Sequence, residues 1–382
     1  MDLQECRKEL DGIDRQLTEL FERRMEICGQ VAQTKIASGK AVYDGEREKQ
    51  KLDAVEAMAH GEFNQTGVRE LFSQIMTISR RYQYRLLAEH GRGVDLGFEK
   101  IPTLKMKDVR VVYQGVEGAY SHGAALQFFG EDANVYHVER FQDAMKEVSE
   151  GRADYAVLPI ENSSAGAVVD MYDLLTGFNN YIVAETFLPV NHALLGLPDA
   201  ELSDIRTVYS HPQALMQSSR FLNAQEGWRQ VSCLNTAVAA CKVIEDRDKS
   251  QAAVASEIAG KLYGLKVLKS SIQNNQGNTT RFVILANRPI YREGASRISL
   301  CFELPHQSGT LYNMLGNFIF NHVNMVMIES RPIPGRNWEY RFFVDIEGNL
   351  NDAAVQNALR GLTEETIRLK ILGNYVSAEG NE

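Results

Sequence analysis

The sequence predicts three folds in succession: an all-α segment, an α/β segment and an α+β segment. Three observations predict them. Residues 1–90 carry apolar side chains at helical spacing with no strand signal. From residue 109 short β-branched runs alternate with helical stretches, and residues 297–375 read strand, helix, strand, strand, helix, strand. A chain of 382 residues has room for about two to four domains of ordinary size.

In the first segment Leu3, Leu10, Ile13, Leu17, Leu20, Ile27 and Val31 are spaced by three, four or seven residues. That spacing is the stripe of one long amphipathic helix without an internal proline, and Gly39 is its expected stop. A second helix is expected from about Asp44 to Met58. The run GEFNQTG then breaks the pattern, and a third helix is expected from Val68 to about Glu89, with Leu71, Ile75, Ile78 and Tyr82 on one face. Residues 91–107, rich in Gly and charge and carrying Pro102, read as a linker.

Residues 108–288 contain the strand candidates VRVVYQG (109–115), YAVLPIE (155–161), YIVAETFL (181–188), RTVYS (206–210), AAVAS (252–256) and RFVILA (281–286). Helical stretches between several of them predict an α/β fold with a mostly parallel sheet. Past residue 290 the strands are RISLCFELP, MVMIESRPI, EYRFFVDIEG and IRLKILGNY, with helices over 309–323 and 351–366. The order βαββαβ is the ferredoxin-like arrangement.

Composition narrows the function classes. Hydrophobic residues make up 44% and charged residues 24%, which fits a soluble globular protein. Lys and Arg number 41 against 50 Asp and Glu, a formal charge of −9. Such a chain has no global attraction for nucleic acid or anionic membrane, although a few local arginines suffice for a small anion. The five cysteines form no CxxC and no even framework, so reduced thiols and a cytoplasmic location are expected, with no metal site. The start is charged from residue 2, unlike a signal peptide, and no apolar run approaches the roughly 18 residues of a membrane helix.

Polar residues on the helices form a pattern of their own. Arg7, Arg24 and Lys35 lie on the first helix, Asp44, Arg47 and Glu48 open the second, and Ser79 and Gln83 share a face of the third at i,i+4. Singly each fits a solvated face. Together, this segment resembles the all-helical class of chorismate mutase, with all eight positions filled by the expected residue types. The resemblance implies that Arg7, Arg24 and Arg47 grip the substrate carboxylates, that Lys35 and Gln83 face the breaking ether bond, and that Glu48 accepts from the ring hydroxyl. Asp44 and Ser79 complete the substrate site. Such a rearrangement needs no nucleophile and no cofactor; it needs a held conformer and stabilised negative charge on the ether oxygen. On one continuous helix Arg7 and Lys35 are roughly 42 Å apart at 1.5 Å per residue. Both therefore serve one small ligand only if Arg7 comes from a second subunit. A homodimer with shared sites is expected, with a tetramer as an open alternative.

In the α/β segment four loops gather hydroxyls and amides at strand ends: YQGVEGAYSHGAA (113–125), LPIENSSAGAV (158–168), YSHPQAL (209–215) and NNQGNTTRFVIL (274–285). Strand ends next to helix starts are natural anion sites; turn and N-cap chemistry explains an isolated Ser or Thr equally well. No GxGxxG occurs, so a nicotinamide cofactor, and with it a dehydrogenase partner to the mutase, is unsupported. The YSH at 120–122, ENSSAG from Glu161, SHPQAL at 210–215 and TRF at 280–282 are similar to prephenate dehydratase. The resemblance implies two α/β lobes with a cleft, like periplasmic binding proteins, the first lobe spanning about 108–186 plus 265–288 and the second about 187–264. It also implies that Thr280 assists departure of the ring hydroxyl. Ser121, Glu161, Asn162, Ser163, Ser210, His211, Gln213, Thr279 and Phe282 are candidate members of the substrate site, and Arg281 the candidate partner of a substrate carboxylate.

The last segment resembles an ACT domain. ESRPI (329–333) matches the phenylalanine-binding motif of the dehydratase family, naming Glu329, Ser330, Arg331 and Pro332. Gly309-Thr310-Leu311-Tyr312 stands where that family usually has GALV, with Thr310 and Tyr312 as departures. The whole pattern resembles bifunctional chorismate mutase–prephenate dehydratases. The expected substrates are chorismate and prephenate, the expected effector L-phenylalanine, and no cofactor is required. The competing readings are a non-catalytic amino-acid sensor and an enzyme retaining one activity only. Intact polar residues in both sites argue against the sensor.

Overall fold

The computed structural model describes residues 1–90 and 96–378. They fall into two compact units, one of residues 1–96 with 300–370, the other of residues 97–299 with the segment from Ile371 onward. Residues 91–95 of the expected linker lie outside the described residues. The rest of it is not structureless, because Glu99–Ile101 forms a short strand paired in parallel with Ile290–Arg292.

The first unit opens with three helices: α1 (Leu3–Ser38), α2 (Gly45–Met58) and α3 (Glu62–Glu89). Asp2 caps α1 in a capping box with Glu5, and Gly39 ends it in the left-handed conformation at φ 72°. The third helix begins six residues earlier than the periodicity indicates. Its GEFNQTG start looked like a break, but Gly61 at φ 85° makes the turn and Gly67 is carried inside the helix. Ala32, Val42, Tyr84 and Leu87 form a small core cluster among the helices, and Val55 and Met76 are buried as well. The stripe on α1 stays uncovered: Leu3, Leu10, Ile13, Leu17, Leu20, Ile27 and Val31 are all exposed.

The same unit contains a βαββαβ module with helices Thr310–Phe320 and Ala353–Glu365. Its strands, Arg297–Glu303, Met325–Pro332, Tyr340–Glu347 and Arg368–Tyr375, are ordered second, third, first, fourth. This is the ferredoxin-like order expected from the sequence. The two helices approach closely: a Cβ on Gly361 would lie 2.9 Å from Cγ of Asn317. The outer ends of the first and last strands continue into the second unit, where Gly373 pairs with Ile182.

The second unit has two lobes, built on different sheets. The first lobe's sheet contains Arg110–Gln114, Asn134–Val138, Tyr155–Asn162, Tyr181–Pro189 and Thr279–Ala286. Its core gathers Val111, Tyr113, Val157, Phe282 and Ile284. The second lobe's sheet has five strands, in the order Lys266–Lys269, Ala193–Gly196, Gln251–Ala255, Thr207–Ser210, Arg229–Ser232. Two corrections follow. The sheets are mixed rather than mostly parallel, because Thr279–Ala286 runs antiparallel to both its neighbours. It returns from the second lobe and enters the first between two strands already in place. Residues 266–269 belong to the second lobe, where they pair with Ala193–Gly196. Chain crosses between the lobes twice, side by side: Val190 donates to the Asn278 carbonyl at 2.8 Å. Gly118 meets the second lobe so closely that a Cβ would lie 3.2 Å from Cα of Ala259, and its φ of 82° requires glycine as well.

Candidate functional site

A cavity of about 460 Å³ lies between the lobes. It is built from loop starts and helix N-termini. Ala119 and Tyr120 open the helix Tyr120–Phe129, His211 caps Pro212–Gln217, and Asn235 caps Thr236–Asp246; residues of all three line the cavity. Of the expected residues, Ser121, Asn162, His211, Gln213, Thr280 and Phe282 line it.

Asn162 fixes the polarity of its centre. Its Oδ1 accepts from the backbone N–H groups of Ser164 at 3.1 Å and Ala165 at 2.9 Å, so its Nδ2 is the end that donates to Thr280 Oγ1 at 2.9 Å. Asn162 fills one lone pair of Thr280 Oγ1, and with no acceptor for its own proton among the described residues the hydroxyl has its O–H to offer to the cavity.

The other expected residues stand elsewhere. Ser210 is fully buried and donates to the Val254 carbonyl at 2.5 Å. Ser163 accepts from the Thr279 N–H at 2.9 Å, which holds the loop beside Thr280 rather than the cavity. Glu161 and Thr279 are not part of the cavity wall. The expectation for Arg281 is corrected: its guanidinium is buried, held by Glu185 at 2.7 Å and donating to the Tyr375 hydroxyl at 2.7 Å. Strand alternation is the reason, since Thr280 faces the cleft and its neighbour must face the other way. No Lys or Arg is among the cavity-lining residues. An anion there meets helix N-termini, hydroxyls and amides instead.

The sequence reading passed over His192, Tyr120 and Gln217 as site residues. His192 Nδ1 lies 3.0 Å from the Tyr120 hydroxyl and its Nε2 3.0 Å from Gln217 Oε1. Burial holds the His192 and His211 imidazoles below their ordinary pKa and pushes the Tyr120 phenol up. The signal available was the position of His192, directly after the first crossing between lobes.

On the helices, Arg24 donates to Ser79 Oγ, and Gln83 Nε2 donates to the Ser79 carbonyl at 3.2 Å. Gln83 is buried and its Oε1 has no partner among the described residues. Lys35 Nζ donates to the Val42 carbonyl at 2.6 Å. Asp44 is the N-cap of α2 and accepts from the Arg47 N–H at 3.0 Å. Glu48 accepts from Arg80, a residue the sequence reading did not single out. Arg7 and Arg47 are exposed, and Arg7 sits near the far end of α1.

Comparison with known proteins decides the family. The family model for chorismate mutase type II matches residues 6–84, and the one for prephenate dehydratase matches residues 111–290. The bifunctional chorismate mutase/prephenate dehydratase of Escherichia coli (strain K12) is 35% identical over 379 residues, covering 97% of this chain and 95% of that protein. This chain belongs to the bifunctional chorismate mutase/prephenate dehydratases. Two solved structures match about 70% of the chain. One is described as the prephenate dehydratase of Arthrobacter aurescens in complex with L-Phe, at 31% identity and TM-score 0.66 over 71% of this chain and 91% of that one. The other is described as a novel type of quorum quenching acylase, at 33% identity and TM-score 0.66 over 72% of this chain and all of that one. As a member of the bifunctional family, the chain rearranges chorismate to prephenate and dehydrates prephenate with loss of CO₂ to phenylpyruvate.

Proposed function

We propose how the two chemistries are divided among residues and how they are regulated. Dehydration takes place in the cavity between the lobes. Thr280 hydrogen-bonds the departing ring hydroxyl, and Asn162 orients that threonine. The observation that carries this is the Asn162–Thr280 bond, which leaves the threonine proton as the group offered to a ligand. A threonine hydroxyl alone is a weak acid, so Ser121, His211, Gln213 and the Tyr120–His192 pair share the polar environment that receives the leaving oxygen. The substrate carboxylates take the helix N-termini at Ala119, His211 and Asn235.

The mutase site is formed by Arg24, Lys35, Arg47, Glu48, Ser79 and Gln83 of one chain with Arg7 of a second. What supports a dimer is the uncovered apolar stripe on a helix of 36 residues, which a second copy would bury, together with the distance between Arg7 and Lys35 along it. The domains are residues 1–90, 108–288 and 297–375, and the enzyme works in the cytoplasm without a cofactor; among the described residues no helix is long and apolar enough to cross a membrane.

The βαββαβ module is an ACT domain that binds L-phenylalanine and lowers dehydratase activity. Gly309, at φ 80°, caps the helix Thr310–Phe320, and Thr310 Oγ1 donates to the Pro305 and Gln307 carbonyls. Leu311 is half-buried and Tyr312 exposed. Along Met325–Pro332, Glu329 and Arg331 turn inward while Ser330 and Pro332 turn outward. Calorimetric titration of L-phenylalanine into the full chain tests the assignment. Saturable binding lost in Glu329→Ala supports it, and no heat in the native protein contradicts it.

A further inference from the structure

Arg80 is the one cation in direct contact with Glu48 among the described ion pairs, and it does not belong to Glu48 alone. Its side chain is 9% exposed. Nη1 donates to Glu48 Oε2, while Nη2 donates to Glu365 Oε1 at 3.0 Å and to Thr77 Oγ1 at 3.1 Å. The guanidinium stacks over the Tyr43 ring at 5.3 Å. Glu365 ends the helix Ala353–Glu365 of the βαββαβ module, and its other oxygen accepts from Asn317 Nδ2 at 2.9 Å on the helix Thr310–Phe320. Beside it Glu364 accepts from the Tyr84 hydroxyl at 2.5 Å and from the Tyr43 N–H at 2.9 Å. A continuous hydrogen-bonded line thus runs from Glu48 through Arg80 and Glu365 to the helix that begins at Gly309.

The geometry assigns Arg80 the positioning of Glu48, and Glu365 the positioning of Arg80, so the mutase carboxylate is set by the C-terminal module. The physical reason is the planar fork of arginine, which can hold two carboxylates in fixed directions. Burial disfavours the Arg80 charge, and the two carboxylates more than restore it. If Glu365 is lost, the guanidinium keeps Glu48, Thr77 and the Tyr43 ring but loses the second carboxylate that directs Nη2. Glu48 then loses its aim at the substrate while keeping its charge.

This inference rests on the reading of Glu48 as a substrate-binding group, and the test separates the two. Full-length native protein, Glu48→Gln, Glu365→Gln, Arg80→Met and Arg80→Lys are assayed for mutase kinetics on chorismate and for dehydratase kinetics on prephenate supplied directly. A native mutase rate in Glu48→Gln would overturn the reading of Glu48 itself. With Glu48 shown to matter, Arg80→Met is expected to raise the KM for chorismate about 10-fold, with a smaller change in kcat. Arg80→Lys recovers part of that loss. Glu365→Gln raises the KM several-fold, and the Arg80→Met/Glu365→Gln double variant is no worse than Arg80→Met. Dehydratase kcat/KM stays at the native value throughout. Native mutase kinetics in Glu365→Gln, or an equal fall of both activities, would overturn the assignment. If Arg80→Met does not fold, Glu365→Gln and Arg80→Lys still decide it.

Discussion

The Asn162 amide donates to Thr280 Oγ1 at 2.9 Å while its own oxygen is held by two backbone N–H groups. The loop therefore fixes Thr280 as the acceptor in this pair and keeps the threonine proton free for a ligand. Thr280→Ala should lower dehydratase kcat by about 10²–10⁴-fold, the range of a positioned proton donor, and leave mutase turnover unchanged. Thr280→Ser should keep much of the rate. Asn162→Ala should fall between them. Separate steady-state assays on chorismate and prephenate check all three.

Arg281 leads to a different expectation from that of its neighbour. Glu185 is wholly buried and is paired with Arg281 at 2.7 Å and Arg297 at 3.4 Å. Arg281→Met strands part of a buried charge and should cost about 3–5 kcal/mol of stability. Glu185→Gln in the same chain should return part of it. Denaturant unfolding followed by fluorescence measures the loss. A variant that stays fully stable but has a raised KM for prephenate would restore the original carboxylate-binding expectation.

Mutase sites shared between chains predict complementation. Arg7→Ala and Lys35→Ala homodimers should each be nearly inactive. A heterodimer of the two regains one intact site, so random mixing should recover about a quarter of native mutase activity. Heterodimers confirmed by mass but without activity would rule out the shared site.

His192 gives the lobes a pH dependence. Burial depresses its folded-state pKa below the ordinary value near 6.5. The unfolded chain then binds more protons than the folded one in the interval between the two values. Its contribution to stability is complete above about pH 6.5 and is lost as pH falls toward the folded-state pKa. His211 and His122 are depressed in the same direction. Thermal melts from pH 7.5 to 5 should show a steeper decline in the native protein than in His192→Gln.

The sequence made the long helices, the βαββαβ order and the strand carrying Thr280 legible, because each has a strong period or a dense β-branched run. It did not reveal Asn134–Val138, Ala193–Gly196 or Arg229–Ser232, which are too short for periodicity to separate from loops. Six of the eleven residues assigned to the dehydratase site line the cavity. Those that do not are local neighbours in the same motifs, and motif membership does not say which face a residue takes. Arg281 shows this most plainly, since its partner Glu185 is ninety-six residues away in sequence. The Arg80–Glu365 pair is separated by 285 residues and left no local trace.

The most direct test supplies the purified full chain with chorismate alone and identifies products without acid treatment, with and without L-phenylalanine. Phenylpyruvate that forms through transient prephenate, and falls when L-phenylalanine is added, is the result this account predicts. Prephenate that accumulates unchanged, or phenylpyruvate formation indifferent to L-phenylalanine, would contradict it.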